Sequence, residues 1–183
     1  MENLREGEKL KVVSEKEVID SKEALKCTLE QLYSKTDLED IDDRKRTSNY
    51  YSWLNKKTTI IINEKNYVCD EKSKYIKRGS VVWIEFGFNI GNEFGGRHPA
   101  IVLRKTGNSI FVIPLSSKEP EEKKPYHVKI DKVYNFKNMV RWVNILKIQN
   151  VSLQRVDFDA SIGNVKGKVL DSINDAIKIS HIF

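Results

Sequence analysis

Near Glu71–Lys74 the apolar residues change their period, and this change limits what the chain can fold into. Before it, Ser14 followed by Glu17 is a capping-box pattern, and Val18, Leu25, Leu29 and Leu32 fall on one helical face. Thr36 with Glu39 repeats the capping pattern and predicts a second helix, which carries Leu38, Ile41, Tyr50, Trp53 and Leu54. Its middle, "DLEDIDDRKRTSN", is polar. The β-branched run "TTIII" (58–62) reads as a short strand or a buried linker. Proline is absent from this part, which suits helices.

After Lys74 the period shortens to two or to brief apolar runs. "SVVWIEFGF" (80–88), "PAIVL" (99–103), "SIFVIPL" (109–115), "YHVKI" (126–130) and "MVRWVNILKI" (139–148) read as strands. "RKTGN" supplies hairpin turn chemistry between the second and third. "VSLQRV" (151–156) reads as a short strand or a turn of helix. Val165, Val169, Ile173 and Ile177 repeat every four residues and predict a closing amphipathic helix. The expected class is mainly β with helices (α+β). The expected architecture is a small barrel-like β domain over 73–183 with a C-terminal helix, preceded by a helical segment over 1–72.

Charge divides at the same place. Residues 1–72 hold 14 lysines and arginines against 16 acidic residues, a net −2, and residues 73–183 hold 18 against 10, a net +8, which together give the total of +6. A basic domain on a slightly acidic arm points to a polyanion partner. No run of about 18 apolar residues predicts a membrane span, and the N-terminus lacks a signal peptide's apolar core. The expected location is the cytoplasm. Cys27 and Cys69 have no CxxC partners, which favours reduced thiols over a disulfide or zinc site.

Two stretches carry candidate chemistry. In "GNEFGGRHPAIVL" (91–103), paired glycines permit positive φ and leave backbone N–H groups open to a ligand. Arg97 and His98 then stand where the loop becomes a strand, and Pro99 suits a strand's first residue. By itself the stretch also reads as a flexible hairpin loop. In "VIPLSSKEPEEKKPYHV" (112–128), a strand ends at Ser116 and Ser117, and His127 returns on the next strand. Strand-end capping and a half-buried histidine explain that stretch equally well.

In combination the motifs resemble the PemK/MazF toxins of bacterial toxin–antitoxin systems. The order is "RGSVVWIEF", "GNEFGGRHPAIVL", "VIPLSS", "PYHVKI", "MVRWVNILKI" with "VSLQRV", and then the helix. The family pattern runs "RGD[VI]", "GxExGGxRPVVI", "[VI]xxxT" and "PTHV". The resemblance covers roughly 75–183 and leaves out the N-terminal helices. It implies an SH3-like barrel, usually dimeric. It also implies a metal-independent endoribonuclease, with no cofactor, that cleaves single-stranded mRNA by internal phosphoryl transfer and is blocked by a cognate antitoxin.

Carried over residue by residue, Ser116 matches the family hydroxyl and His127 the family histidine. Glu93 matches an acid found in the loop of some members. The arginine before the proline is replaced by His98, with Arg97 one place earlier. Adjacent residues of an extended chain point to opposite faces, so Arg97 replaces that arginine only if the loop bulges. The resemblance therefore implies His98 and Ser116 as the reacting pair, with Arg97 binding phosphate in the site or at its rim. Glu93, Gly95, Gly96, Ser117, Lys118 and His127 are candidate RNA contacts. The alternative is a non-catalytic SH3-like module that binds nucleic acid or a protein. The N-terminal helices are open to three readings: an interaction arm, a dimerisation element, or a cover over the basic face.

Overall fold

The computed structural model describes residues 13–181, and the chain divides between Ser52 and Trp53 into two compact units. In the first, α1 (Glu15–Lys35) begins with the expected capping box. The Glu17 amide donates to Ser14 Oγ at 3.2 Å, and the Ser14 amide donates to Glu17 Oε2 at 2.8 Å. Thr36 closes this helix instead of opening the next one, with its hydroxyl donating to Leu32 O at 2.9 Å. The start of α2 (Ile41–Asn63) belongs to carboxylates: Asp43 N–H donates to Asp40 Oδ1 at 2.8 Å and Arg44 N–H to Asp40 O at 3.1 Å. Asp40 is thus the N-cap, with Asp37 accepting from the Glu39 amide just before it at 2.9 Å.

The two helices meet through Thr36 and Thr47, whose hydroxyls lie 2.9 Å apart, and through Tyr51, whose hydroxyl donates to Leu29 O. Leu29 and Leu32 are half-buried, while Val18 and Leu25 of the predicted face are exposed. The "TTIII" run is neither strand nor linker but continues α2. Branched side chains cost little helix stability when the helix around them is already formed.

The second unit starts inside α2, at Trp53. Short 3₁₀ turns at Glu64–Asn66 and Glu71–Tyr75 lead to Ile76, which enters the core. Eight strands follow: β1 Ser80–Glu85, β2 Arg97–Thr106, β3 Ser109–Ser116, β4 His127–Ile130, β5 Arg141–Asn144, β6 Gln149–Ser152, β7 Val156–Asp157 and β8 Gly163–Asn164. All pair antiparallel, in the order β4-β5-β3-β2-β1-β7, with β6 on β3 and β8 on β1. Gly107, with φ +55°, turns the β2–β3 hairpin as its sequence predicts.

The architecture is of the expected class, a mainly β sheet preceded by a helical segment and followed by a C-terminal helix, and among the described residues the sheet is not closed. Ser109–Val112 pair with β6, whereas Leu115 and Ser116 pair with β5, so the edge of β3 away from β2 forks. Each face of the sheet buries its own cluster. One holds Ile84, Phe86, Ala100, Val102 and Val112, and the other holds Val81, Ile101, Ile113, Leu115 and Val143. The closing helix α3 (Gly167–Ile179) covers the second cluster with Ile173 and Ala176. It begins after Val165, which packs in the same cluster from the strand side. Among the described residues no helix is long and apolar enough to cross a membrane.

Candidate functional site

The loop between β1 and β2 is closed at its base by two backbone bonds. Phe86 N–H donates to Gly96 O at 2.8 Å, and Gly96 N–H donates to Gly87 O at 2.7 Å. A Cβ on Gly95 would stand 2.7 Å from Gly87 O, and Gly96 has φ +78°, so both glycines are needed for this closure. The amide of Gly96 is therefore taken by the fold and is not open to a ligand, contrary to the expectation from the paired glycines. Glu93 secures the loop tip by accepting from Ile90 N–H at 3.3 Å. Asn89 donates to Phe94 O at 2.5 Å, and Lys147 donates to Asn92 O at 2.5 Å.

Arg97 and His98 leave this loop on opposite faces. They pair with Glu85 and Ile84 in unbroken register, and the irregularity of β2 lies farther on, between Val102 and Arg104. The Arg97 guanidinium lies 4.5 Å from the Trp83 ring and pairs with Asp157 Oδ2 at 2.6 Å. That bond holds the Asp157 carboxyl below its ordinary range. Arg97 lines a polar cavity of about 360 Å³ shared with Lys56, Glu85, Arg155 and Asp157. His98 is half-buried, with Phe94 edge-on to its ring at 4.7 Å. Burial lowers its pKa, and the nearby Glu85 charge opposes this in part.

A second cavity, of about 400 Å³, is lined by Phe94, Ser116, Lys118, His127, Trp142 and Lys147, among others. Ser116 reaches it from the end of β3, and its Oγ accepts from Lys118 N–H at 3.0 Å. His127 reaches it from β4, and its Nδ1 accepts from Lys124 N–H at 3.1 Å. In the neutral ring this leaves the proton on Nε2. Ser117 is exposed and does not line the cavity. The acidic residues of the β3–β4 loop are paired with lysines, Lys118 with Glu121 at 3.4 Å and Lys123 with Glu119 at 2.8 Å.

Strand register relates His98 to this cleft. Ala100 faces Pro114 across β2 and β3. Carried two residues on, the same register sets His98 opposite Ser116, on the same face of the sheet. Phe94 completes the link, since it lines the cleft and packs on the imidazole. The structure thus gathers Ser116, Lys118 and His127, sets His98 behind Phe94 beside them, and puts Arg97 on the other side of the sheet. Trp142 and Lys147 were not singled out from the sequence. Trp142 reads as one apolar residue among several in "MVRWVNI", and only its pairing with Ser116 turns it toward the cleft. Among the described residues, no cluster of three or more His, Cys, Asp or Glu side chains could hold a metal ion.

Fold and cleft together define an open antiparallel-sheet domain with a hydroxyl, an imidazole, two lysines and the carboxylates of Glu119, Glu121 and Glu122 at one concavity. Residues 77–181 match the family model described as "PemK-like, MazF-like toxin of type II toxin-antitoxin system". The chain belongs to this toxin family. Solved structures to which the chain is similar include MazF from Deinococcus radiodurans, at 19% identity and a TM-score of 0.47 over 58% of this chain and 97% of that one. They also include MazE-MazF from the same organism, at 18% identity and a TM-score of 0.44 over 59% and 97%. A third is an endoribonuclease in complex with its cognate antitoxin from Mycobacterial species, at 15% identity and a TM-score of 0.43 over 59% and 97%. No curated protein matches the chain by sequence.

Proposed function

We propose that the chain is a toxin endoribonuclease that cuts single-stranded mRNA by internal phosphoryl transfer at the Ser116 cleft. The observation that carries this reading is a cleft in a domain of this family that gathers Ser116 and His127 with Lys118, Lys147 and three glutamates, with Phe94 linking it to the His98 ring. Burial favours the neutral imidazole of His98, the form a general base requires. His98 takes the proton from a ribose hydroxyl, and that oxygen attacks the adjacent phosphorus. The bond from phosphorus to the leaving oxygen breaks, and solvent water returns a proton to that oxygen, while His127 Nε2–H donates a hydrogen bond to the phosphate. A cyclic phosphate and a free hydroxyl end result. Ser116 Oγ–H, which donates to Lys118 O at 3.2 Å, turns on RNA binding to the phosphate oxygens and meets their charge together with the ammonium groups of Lys118 and Lys147. Arg97, on the opposite face, binds RNA phosphate outside the cleft.

A cognate antitoxin that covers the cleft and a homodimer belong to the same reading. The basic domain of residues 73–183 supplies the attraction for RNA, and the acidic stretch of 1–72 does not.

The test is cleavage of mixed-sequence single-stranded RNA by purified protein in EDTA, with the new ends mapped. The wild type should turn over many RNA molecules and leave cyclic phosphate ends. His98→Ala should slow this by about 100-fold or more, the usual contribution of a positioned base. Cleavage by His98→Ala at the wild-type rate overturns the assignment of the base. Stoichiometric binding without cleavage favours the non-catalytic module.

A further inference from the structure

The last part of α2, residues 53–63, lies outside the matched family region yet packs within the sheet unit. Its first residue is Trp53. A Cβ built on Gly87 would stand 2.2, 2.4 and 2.7 Å from Trp53 Cε2, Cζ2 and Nε1. The indole therefore rests directly on the backbone of Gly87, where no side chain fits. Gly87 has φ +87°, and its carbonyl accepts the Gly96 amide that closes the β1–β2 loop. Arg155 also touches this indole. Its guanidinium lies 5.1 Å from the Trp53 ring, and its Nη1 donates to Phe86 O at 3.4 Å. One turn further along α2, Lys56 Nζ pairs with Glu85 Oε2 at 3.1 Å. Trp53 and Lys56 thus engage Gly87 and Glu85, on either side of Phe86, where β1 gives way to the loop.

None of residues 53–63 lines the Ser116 cleft. This segment does not plug the cleft; it reaches the loop at its base. What depends on that base is specific. The Phe86–Gly96 and Gly87–Gly96 bonds set the exit angle of β2, and Phe94 and His98 lie within two residues of Gly96. A loop held by two backbone bonds at its neck opens locally unless something buttresses it.

We propose that Trp53 is a positioning residue: by seating its indole on Gly87 it locks the neck of the β1–β2 loop and so fixes Phe94 and His98 against the Ser116 cleft. The helix that carries Trp53 is then a working part of the site, although it lies outside the toxin domain that the family shares. The activity arm of this inference rests on the RNA-cleavage reading, but the structural arm does not.

The test uses the full chain with Trp53→Ala and the conservative Trp53→Phe. Amide hydrogen exchange is read at Phe86 and Gly96, against the core amides of Val82 and Ile101. RNA cleavage is read as kcat and KM separately. In Trp53→Ala, exchange at Phe86 and Gly96 should quicken at least tenfold while the core amides keep their protection. The kcat should fall by about 10- to 100-fold, as for a small misplacement of a reacting group, with KM changed much less. Trp53→Phe should restore most of both.

If the alanine variant does not fold, Trp53→Leu keeps apolar bulk without the flat ring and is read at the same amides. Unchanged exchange at Phe86 and Gly96 overturns the proposal. So does a uniform loss of protection that includes the core, because Trp53 would then be ordinary packing. If wild-type protein cuts no RNA, the function reading fails while the exchange measurement still decides the role of Trp53.

Discussion

At His98, two environments compete. Burial favours the neutral ring and the Glu85 carboxylate favours the charged one, and burial prevails, so the folded pKa lies below the ordinary value of 6.5. Between those two values the unfolded chain binds more protons than the folded one. Stability therefore rises with pH through this window and falls as the pH drops through it. Cleavage that uses neutral His98 should persist below pH 6.5 and be lost on the acid side of the folded pKa. Glu85→Gln removes the charge that favours imidazolium and should move the acid limb of the pH–rate profile further down. A limb that stays in place would show that the profile reports another group. Arg97, one residue away, has a different fate because strand alternation gives it to Asp157 and Trp83. That separation was legible in the sequence, since two consecutive strand residues without a bulge cannot share a face.

Helices and strands were legible where the pattern was local. Ser14 with Glu17 gave the start of α1, the period-two runs gave β1 to β5, and the four-residue repeat gave α3. The failures came where several local signals competed or where the partner lay far along the chain. Thr36 with Glu39 has the form of a capping box, but Asp37 and Asp40 accept the amides before α2, and a carboxylate is the stronger acceptor. Trp142 and Trp53 acquire their places from Ser116 and Gly87, contacts that no local pattern encodes. The helix α3 allows a direct measurement at this scale. Ile173 is fully buried in the second cluster. Ile173→Ala should cost about 2–5 kcal/mol in urea unfolding, the range for emptying a packed core site. A cost under about 1 kcal/mol would mean that α3 adds little to the sheet it covers.

In the molecule as a whole, sheet openness and charge distribution set what can be bound. Among the described residues the sheet is open, β3 shares its outer edge between β6 and β5, and the cleft residue Ser116 sits on the β5 side of that division. The strand patterns located β1 to β5, but not the order in which their edges pair, which rests on contacts far apart in the chain. Charge was fully legible: the excess of basic residues lies in 73–183. RNA affinity should fall linearly on a log–log plot against salt, with a slope of about −0.7 for each phosphate neutralised. A flat salt dependence would remove the polyanion reading of the basic domain.

The fit of Trp53 on Gly87 also bears on how related chains can diverge. Asparagine tolerates positive φ, so on backbone grounds alone it could replace glycine at position 87. With the indole in place it cannot, since even a single carbon there would collide. A related chain that keeps this indole should therefore also keep glycine at the position of Gly87. An N-terminal segment of this kind cannot be exchanged freely among such sheets, because the recipient must already carry the bare backbone on which it rests.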